Sequence, residues 1–190
     1  MQSLESLIER LVRANVEFVV VGGFAAVAHG VSLLTQDIDI CCRFTAANLL
    51  KLQEALSGLH PTHRMTPARL PFRVTAKNCR GLKNLYLDTD FGQLDCLSEV
   101  LAIGDFDAVL RQSVEVRLPF GPARLLSLDA LIKAKKAMNR PRDIEAVKQL
   151  EAIRKTERSN SNPGQVRERR ASRGRKTKRG MAATKKENRG

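Results

Sequence analysis

The order of apolar patterns in this chain predicts an α/β (α+β) domain, a mixed β-sheet flanked by helices, with C-terminal helices and a disordered basic tail. Three observations carry that expectation. Helix-period and strand-like runs alternate from the N-terminus, strands then follow one another, and two helical segments come last. The 190 residues suit one domain, or one domain with an appendage. The charge is also unevenly placed: of a formal +13, residues 154–190 hold 14 Lys/Arg against 3 Asp/Glu, leaving 19 basic and 17 acidic residues in 1–153. The body, 1–153, is therefore nearly neutral, and a fold-wide basic surface of the histone or ribosomal kind is excluded for it.

Leu4, Leu7, Ile8, Leu11 and Val12 fall on one stripe of an amphipathic helix, with Ser3 as its expected N-cap and Asn15 as its end. Phe18–Val21 is a short β-branched run that stops at Gly22-Gly23, the pattern of a buried strand and a tight turn. Phe24–His29 is Ala-rich and helical, and Gly30 closes it. Ile38–Cys42 is the next strand. Thr45 then caps a helix carrying Leu49, Leu50, Leu52 and Leu56. Residues 60–81 hold three prolines and allow only a short strand at Phe72–Val74. Leu85–Leu87 and Gln93–Leu97 form strands around a turn at Asp90–Gly92, and Val114–Leu118 adds a third. Ser127 caps a helix reaching about Met138, and Pro141 opens another that ends near Ile153. The tail from Arg154 has almost nothing to bury, which predicts disorder.

No apolar run approaches the roughly 20 residues a membrane helix needs. The N-terminal segment has neither a basic n-region nor an apolar h-region, so no secretory signal is expected and the location is expected to be cytoplasmic. Cys41, Cys42, Cys79 and Cys96 lack metal-type spacing and are expected to be buried, reduced thiols.

Three features bear on chemistry. At Gly22-Gly23 a strand meets a helix start, where backbone can approach a bound group and unpaired N–H groups favour phosphate. In Thr35–Ile40, Asp37 and Asp39 project from one face of a strand while Ile38 and Ile40 pack on the other. Two such carboxylates repel and are costly to desolvate without a cation, and oxygen-only ligands suit Mg²⁺ or Mn²⁺ better than zinc. The alternative for the pair is a solvated strand end. Asp95 is flanked by Leu94 and Cys96. If those two face the core, Asp95 faces the other way, where it can join Asp37 and Asp39 in a metal cluster suited to phosphoryl chemistry.

Gly22-Gly23, then Asp37-Ile38-Asp39, then an apolar-flanked Asp95 resembles the nucleotidyltransferase superfamily with a DNA polymerase β-like palm. Within it, Gly22–Gly30 leading to Thr35–Ile40 looks most like a small bacterial and archaeal branch that includes toxin components of type IV toxin–antitoxin (abortive infection) systems. The segment Leu131–Ile144, with Lys135, Arg140 and Arg142-Asp143, resembles that branch's downstream motif. The resemblance spans roughly residues 5–152. It implies that Asp37, Asp39 and Asp95 are catalytic and bind the metal, Asp95 also helping to deprotonate the acceptor. It also implies that Gly22, Gly23, Lys135 and Arg140 bind the nucleotide, and that Asp143 orients the cations. The implied reaction is transfer of a nucleoside monophosphate from a nucleoside triphosphate (NTP) to an RNA, protein or small-molecule acceptor. One departure stands out. Relatives often carry an arginine shortly before the D-x-D, and Val31–Leu34 has no cation. The alternative reading is therefore a catalytically weak or inactive module of the same fold that binds a partner or, through its basic tail, nucleic acid.

The remaining candidates have plainer readings. His29 ends a helix, His60 and His63 sit in a solvated loop, Asp88 and Asp90 flank a hairpin turn, and Lys133 and Lys136 lie on a wet helix face. The tail, through Arg167–Arg170 and Arg173–Arg179, is expected to contact RNA or DNA phosphates by counterion release. The loop around Arg64, Arg69 and Arg73 is the other basic surface available for nucleic acid. An antitoxin-like protein is a further expected partner, and a membrane is not.

Overall fold

A computed structural model describes residues 2–75 and 77–160. The elements run α1 (Gln2–Arg13), β1 (Phe18–Val21), α2 (Gly22–Ala28), β2 (Asp37–Cys42), α3 (Ala46–Ala55), β3 (Thr62–His63), β4 (Asn84–Thr89), β5 (Gly92–Leu97), β6 (Glu99–Val100), β7 (Gly104–Asp105), α4 (Phe106–Arg111), β8 (Ser113–Leu118), β9 (Gly121–Leu126), α5 (Leu128–Met138) and α6 (Pro141–Asn160). Seven strands form one sheet in the order β3-β4-β5-β2-β1-β9-β8, and β6 and β7 form a separate pair. β2 runs parallel to β5 and β1 parallel to β9, while the other neighbours in the large sheet are antiparallel. The expected mixed sheet with flanking helices is present.

Its centre is where the sequence is most apolar. All four residues of β1 are buried, and Ile38, Ile40, Leu94 and Cys96 of the adjoining strands are inaccessible. Helix ends are set locally. Asn15 adopts a left-handed conformation (φ 52°) after α1. Val16 N–H then bonds Leu11 O and Asn15 N–H bonds Val12 O, the two bonds of a Schellman closure. The same pair recurs after α2, where Gly30 has φ 99° and Val31 and Gly30 donate to Ala26 and Val27. Thr45 and Ser127 cap α3 and α5 through their side chains. Buried Asn48 ties α3 to the start of the sheet, accepting from Glu17 N–H and donating to the carbonyls of Glu17 and Arg43.

Several expectations fail. α1 already includes Gln2, so Ser3 lies inside the helix and is not its cap. Phe72 and Val74 are buried but form no strand. Their N–H groups bond Pro61 O and the Gln53 side chain, so both side chains anchor a loop. β9, α4 and the β6–β7 pair had no counterpart in the sequence reading. β9 opens with Gly121-Pro122, which masks a strand whose Ala123, Leu125 and Leu126 are buried. α6 continues past Ile153 to Asn160. The chain divides into two units, Met1–Glu151 and Ala152–Gly190, and the first holds the sheet and every residue considered below. The expected disorder and nucleic-acid contacts of the tail fall, from Ser161 onward, outside the described residues. Among the described residues, no helix is long and apolar enough to cross a membrane.

Candidate active site

Strand register assembles the acidic residues. Val21 pairs with Asp39, Asp39 with Asp95 and Asp95 with Tyr86. Side chains directly opposite one another share a face. Asp37, two residues before Asp39, projects on that face too. Ligand oxygens of Asp37, Asp39 and Asp95 all lie within 4.8 Å of one another. Asp95 is 8% exposed, although its neighbours Leu94 and Cys96 fill the opposite face completely.

Glycine at position 22 is required by this arrangement. Its φ is +63°, and a Cβ built there would lie 1.8 Å from Asp39 Oδ2. The carboxylate occupies the space a side chain would need. Gly23 N–H donates to that same oxygen at 3.3 Å. The Thr35 hydroxyl sits 2.9 Å from Asp37 Oδ1 and from the Asp37 carbonyl, which orients the first carboxylate.

Opposing forces act on these acids. Burial, then repulsion from Asp37, raises the Asp39 pKa, while Gly23 N–H and the charges of Lys135 and Arg142 pull against them. Asp95 is pushed up to about 6, burial outweighing the adjacent Arg64 guanidinium, with Asp39 and Asp37 adding to the rise.

Helices α5 and α6 contribute a second charged group. Lys135 Nζ lies 3.2 Å from Asp143 Oδ1, and Arg140 Nε lies 2.6 Å from Asp143 Oδ2. Asp143 is 1% exposed and Lys135 6%. Burial alone would lift the Asp143 pKa, but bonds from Arg140 and Lys135 bring it below the ordinary value. A cavity of about 980 Å³ gathers both groups, lined by Gly22, Gly23, Asp37, Asp39, Asp95, Lys135 and Arg140. Arg142 also lines it, and Leu33 and Leu34 form wall where the sequence lacks a cation. All seven residues singled out from the sequence therefore face one cavity.

Arg64 belongs to the basic loop that would serve nucleic acid only if the tail did not. Its Nη2 instead lies 2.7 and 2.9 Å from the two oxygens of Asp95. Arg69 is likewise engaged, with Asp88, so two of that loop's three cations are committed within the protein. No local pattern reveals the Arg64 contact, because its partner is 31 residues away. Thr35 lay inside the aspartate motif, and its position before Asp37 was the available signal. His63, expected in a solvated loop, instead lies half-buried in β3, its ring edge-on to Phe72 with centroids 5.7 Å apart, while most other plainer readings agree with their surroundings. His29 Nε2 bonds Leu126 O, exposed His60 pairs with Asp90, Lys133 and Lys136 are exposed, and all four cysteines are buried.

No protein-family model and no curated protein matches the chain. Among solved structures, it is similar to the lincosamide antibiotic adenylyltransferase LnuA with lincomycin bound, at 16% identity and a TM-score of 0.54, over 80% of this chain and 97% of that one. It also matches ANT(2")-Ia in complex with adenylyl-2"-tobramycin, at 16% identity and a TM-score of 0.48, over 84% and 97% of the two chains. The solution structure of ANT(2'')-Ia matches at 15% identity and a TM-score of 0.47, over 84% and 91%. At this identity the likeness to LnuA is one of architecture: the chain has a nucleotidyltransferase-type fold.

Proposed function

We propose that this chain is a metal-dependent nucleotidyltransferase that moves a nucleoside monophosphate from an NTP to an acceptor hydroxyl, with pyrophosphate leaving. The observation that carries the reading is the convergence of Asp37, Asp39 and Asp95 within 4.8 Å, in one cavity with Gly22, Gly23, Lys135 and Arg140. An all-oxygen set of three carboxylates fits Mg²⁺ or Mn²⁺, and the lack of a side chain at Gly22 leaves the Asp39 carboxylate its place in that set. When bound, the metal would lower the pKa of the attacking hydroxyl and offset charge on the departing phosphates.

The chain's own groups divide the remaining work. Gly22 and Gly23 let a triphosphate approach the backbone closely. Lys135 and Arg140 line the same cavity as the acids and supply counter-charge for the phosphates, with Asp143 fixing both heads. Arg142 supplies a further cation on the cavity wall. Asp95 helps take up the proton of the acceptor hydroxyl. Catalysis on this reading rests on positioning and charge neutralisation, with no covalent enzyme intermediate.

The cations lining the cavity, Lys135, Arg140 and Arg142, all come from α5, α6 and the two-residue link between them, whereas Asn84, Tyr86, Leu97 and Leu101 line it from elsewhere. That distribution supports an acceptor that presents a hydroxyl without a cluster of phosphates. It favours the small-molecule member of the acceptor panel, which also holds protein and RNA, and LnuA is itself described as an antibiotic adenylyltransferase. The test is incubation of the full chain with each labelled NTP, Mg²⁺, and in turn total RNA, lysate protein and a small-molecule extract. One fraction is expected to acquire label, and Asp39→Asn is expected to abolish it. No label above that control would sink the reading in favour of a binding module, the alternative that the cation-free Val31–Leu34 segment favours. A toxin role is a narrower proposal, tested by growth arrest on expression and its relief by a co-expressed partner. Nucleic-acid binding by the basic tail is tested by its dependence on salt.

A further inference from the structure

Arg64 follows strand β3, and its N–H bonds Tyr86 O at 2.8 Å, fixing its backbone beside β4. Its side chain crosses the Tyr86 ring, with Cζ 5.9 Å from the ring centroid, and ends on Asp95. Arginine–carboxylate pairs are frequently bidentate, two nitrogens to two oxygens. Here Nη2 alone serves both oxygens. Nη1 is buried without a hydrogen-bond partner, the one side-chain atom in that condition among the described residues. A buried donor left unpaired is costly, so this pose lacks the satisfaction that the Lys135–Asp143–Arg140 group has. The guanidinium also neutralises the carboxylate that a divalent ion at Asp37 and Asp39 would share. Arginine and ion make competing claims on one side chain.

We propose that Arg64 is a guard on Asp95: it holds this carboxylate while the metal is absent and gives it up when the ion arrives. Arg64 acts on the reaction through Asp95 and is in that sense a positioning residue. The inference rests on the reading of Asp37, Asp39 and Asp95 as a metal site.

The experiment uses the full chain with Mg²⁺ as the probe, no nucleotide present, and calorimetry as the first readout. Arg64→Gln is expected to bind Mg²⁺ about tenfold more tightly than the wild type, a difference of about 1.4 kcal/mol. Equal or weaker binding overturns the guard. A second readout needs no variant to fold. The chain has one tyrosine and no tryptophan, so its intrinsic emission comes from Tyr86 beneath Arg64. Mg²⁺ is expected to change that emission in the wild type as the guanidinium leaves the ring. Unchanged emission at saturating Mg²⁺ also overturns the proposal. Asp39→Asn separates the two levels of inference. If it abolishes Mg²⁺ binding, the metal site stands whatever Arg64 does. If it binds as the wild type does, the metal site falls and the guard falls with it.

Discussion

Two groups of shielded aspartates line the same cavity and meet opposite electrostatic surroundings. Asp143, 1% exposed, has each oxygen bonded to a cation, Lys135 on one and Arg140 on the other, and its pKa lies below the ordinary value. Asp39 has an N–H and a second carboxylate as its near neighbours, and its pKa is raised. Asp95 does have a cation, yet burial still carries it to about 6. The first group is complete in itself and holds α5 to α6. The second is left short of positive charge, an arrangement that costs stability until a cation is supplied. Acids of one chemical kind thus serve two ends, and their partners decide which.

The largest expected effect lies in the complete group. Asp143→Ala leaves Lys135 buried without its counter-charge, and breaking a buried pair in this way costs about 3–5 kcal/mol. Denaturant unfolding measures it, and a loss typical of a surface substitution would erase the contrast between the groups. Asp39→Asn is expected to behave in the opposite manner. It removes a repelling charge, so the metal-free protein should melt at the same temperature or higher. Label transfer should fall roughly a hundredfold or more, because several kcal/mol of charge stabilisation go with the ion. Severe unfolding of Asp39→Asn would make the residue structural.

The glycines sharpen the comparison at the next level. Gly22→Ala places a Cβ against Asp39 at a positive φ. It should cost about 1–3 kcal/mol and also weaken the Mg²⁺-induced rise in melting temperature. Gly23→Ala meets only the Thr35 side chain, at 3.1 Å, and should shift stability by no more than about 1 kcal/mol, the helix preference for Ala offsetting that contact, while keeping the metal response. Equal losses at the two positions would refute the role assigned to Gly22.

The smallest expected effect is on pH dependence, and the two groups should differ in sign. The folded-state pKa values of Asp39 and Asp95 are raised. Between the unfolded value and about 6 for Asp95, the folded protein therefore binds more protons than the unfolded chain. Metal-free stability from this group falls as pH rises through that window, while Mg²⁺, which needs the ionised acids, binds better. Asp143 is depressed, so its stabilisation is present above the ordinary value of 3.8 and is lost as pH falls through its lower folded value. Melting scans with and without Mg²⁺ should show a metal-induced rise that grows as pH increases through about 6. A response equal on both sides of that value would remove Asp95 from the ligand set.

What the sequence determined by itself was local. The stripe of α1, the cap at Ser127, the first-turn Pro141 and the shared face of Asp37 and Asp39 depend on residues a few positions apart, where backbone geometry leaves few choices. Asp95 was legible because its apolar neighbours Leu94 and Cys96 had to face the core, leaving it the other side. Tertiary structure decided whatever depends on strand order. β9 enters the sheet beside β1 although Gly121-Pro122 hides its pattern, and Phe72 and Val74 are buried yet bond to a loop and a side chain. Arg64 reaches an acid 31 residues away only because β3, β4 and β5 lie side by side. Helix period and capping are settled within a turn or two of chain, but an ion pair across a sheet exists only once register has brought its two ends together.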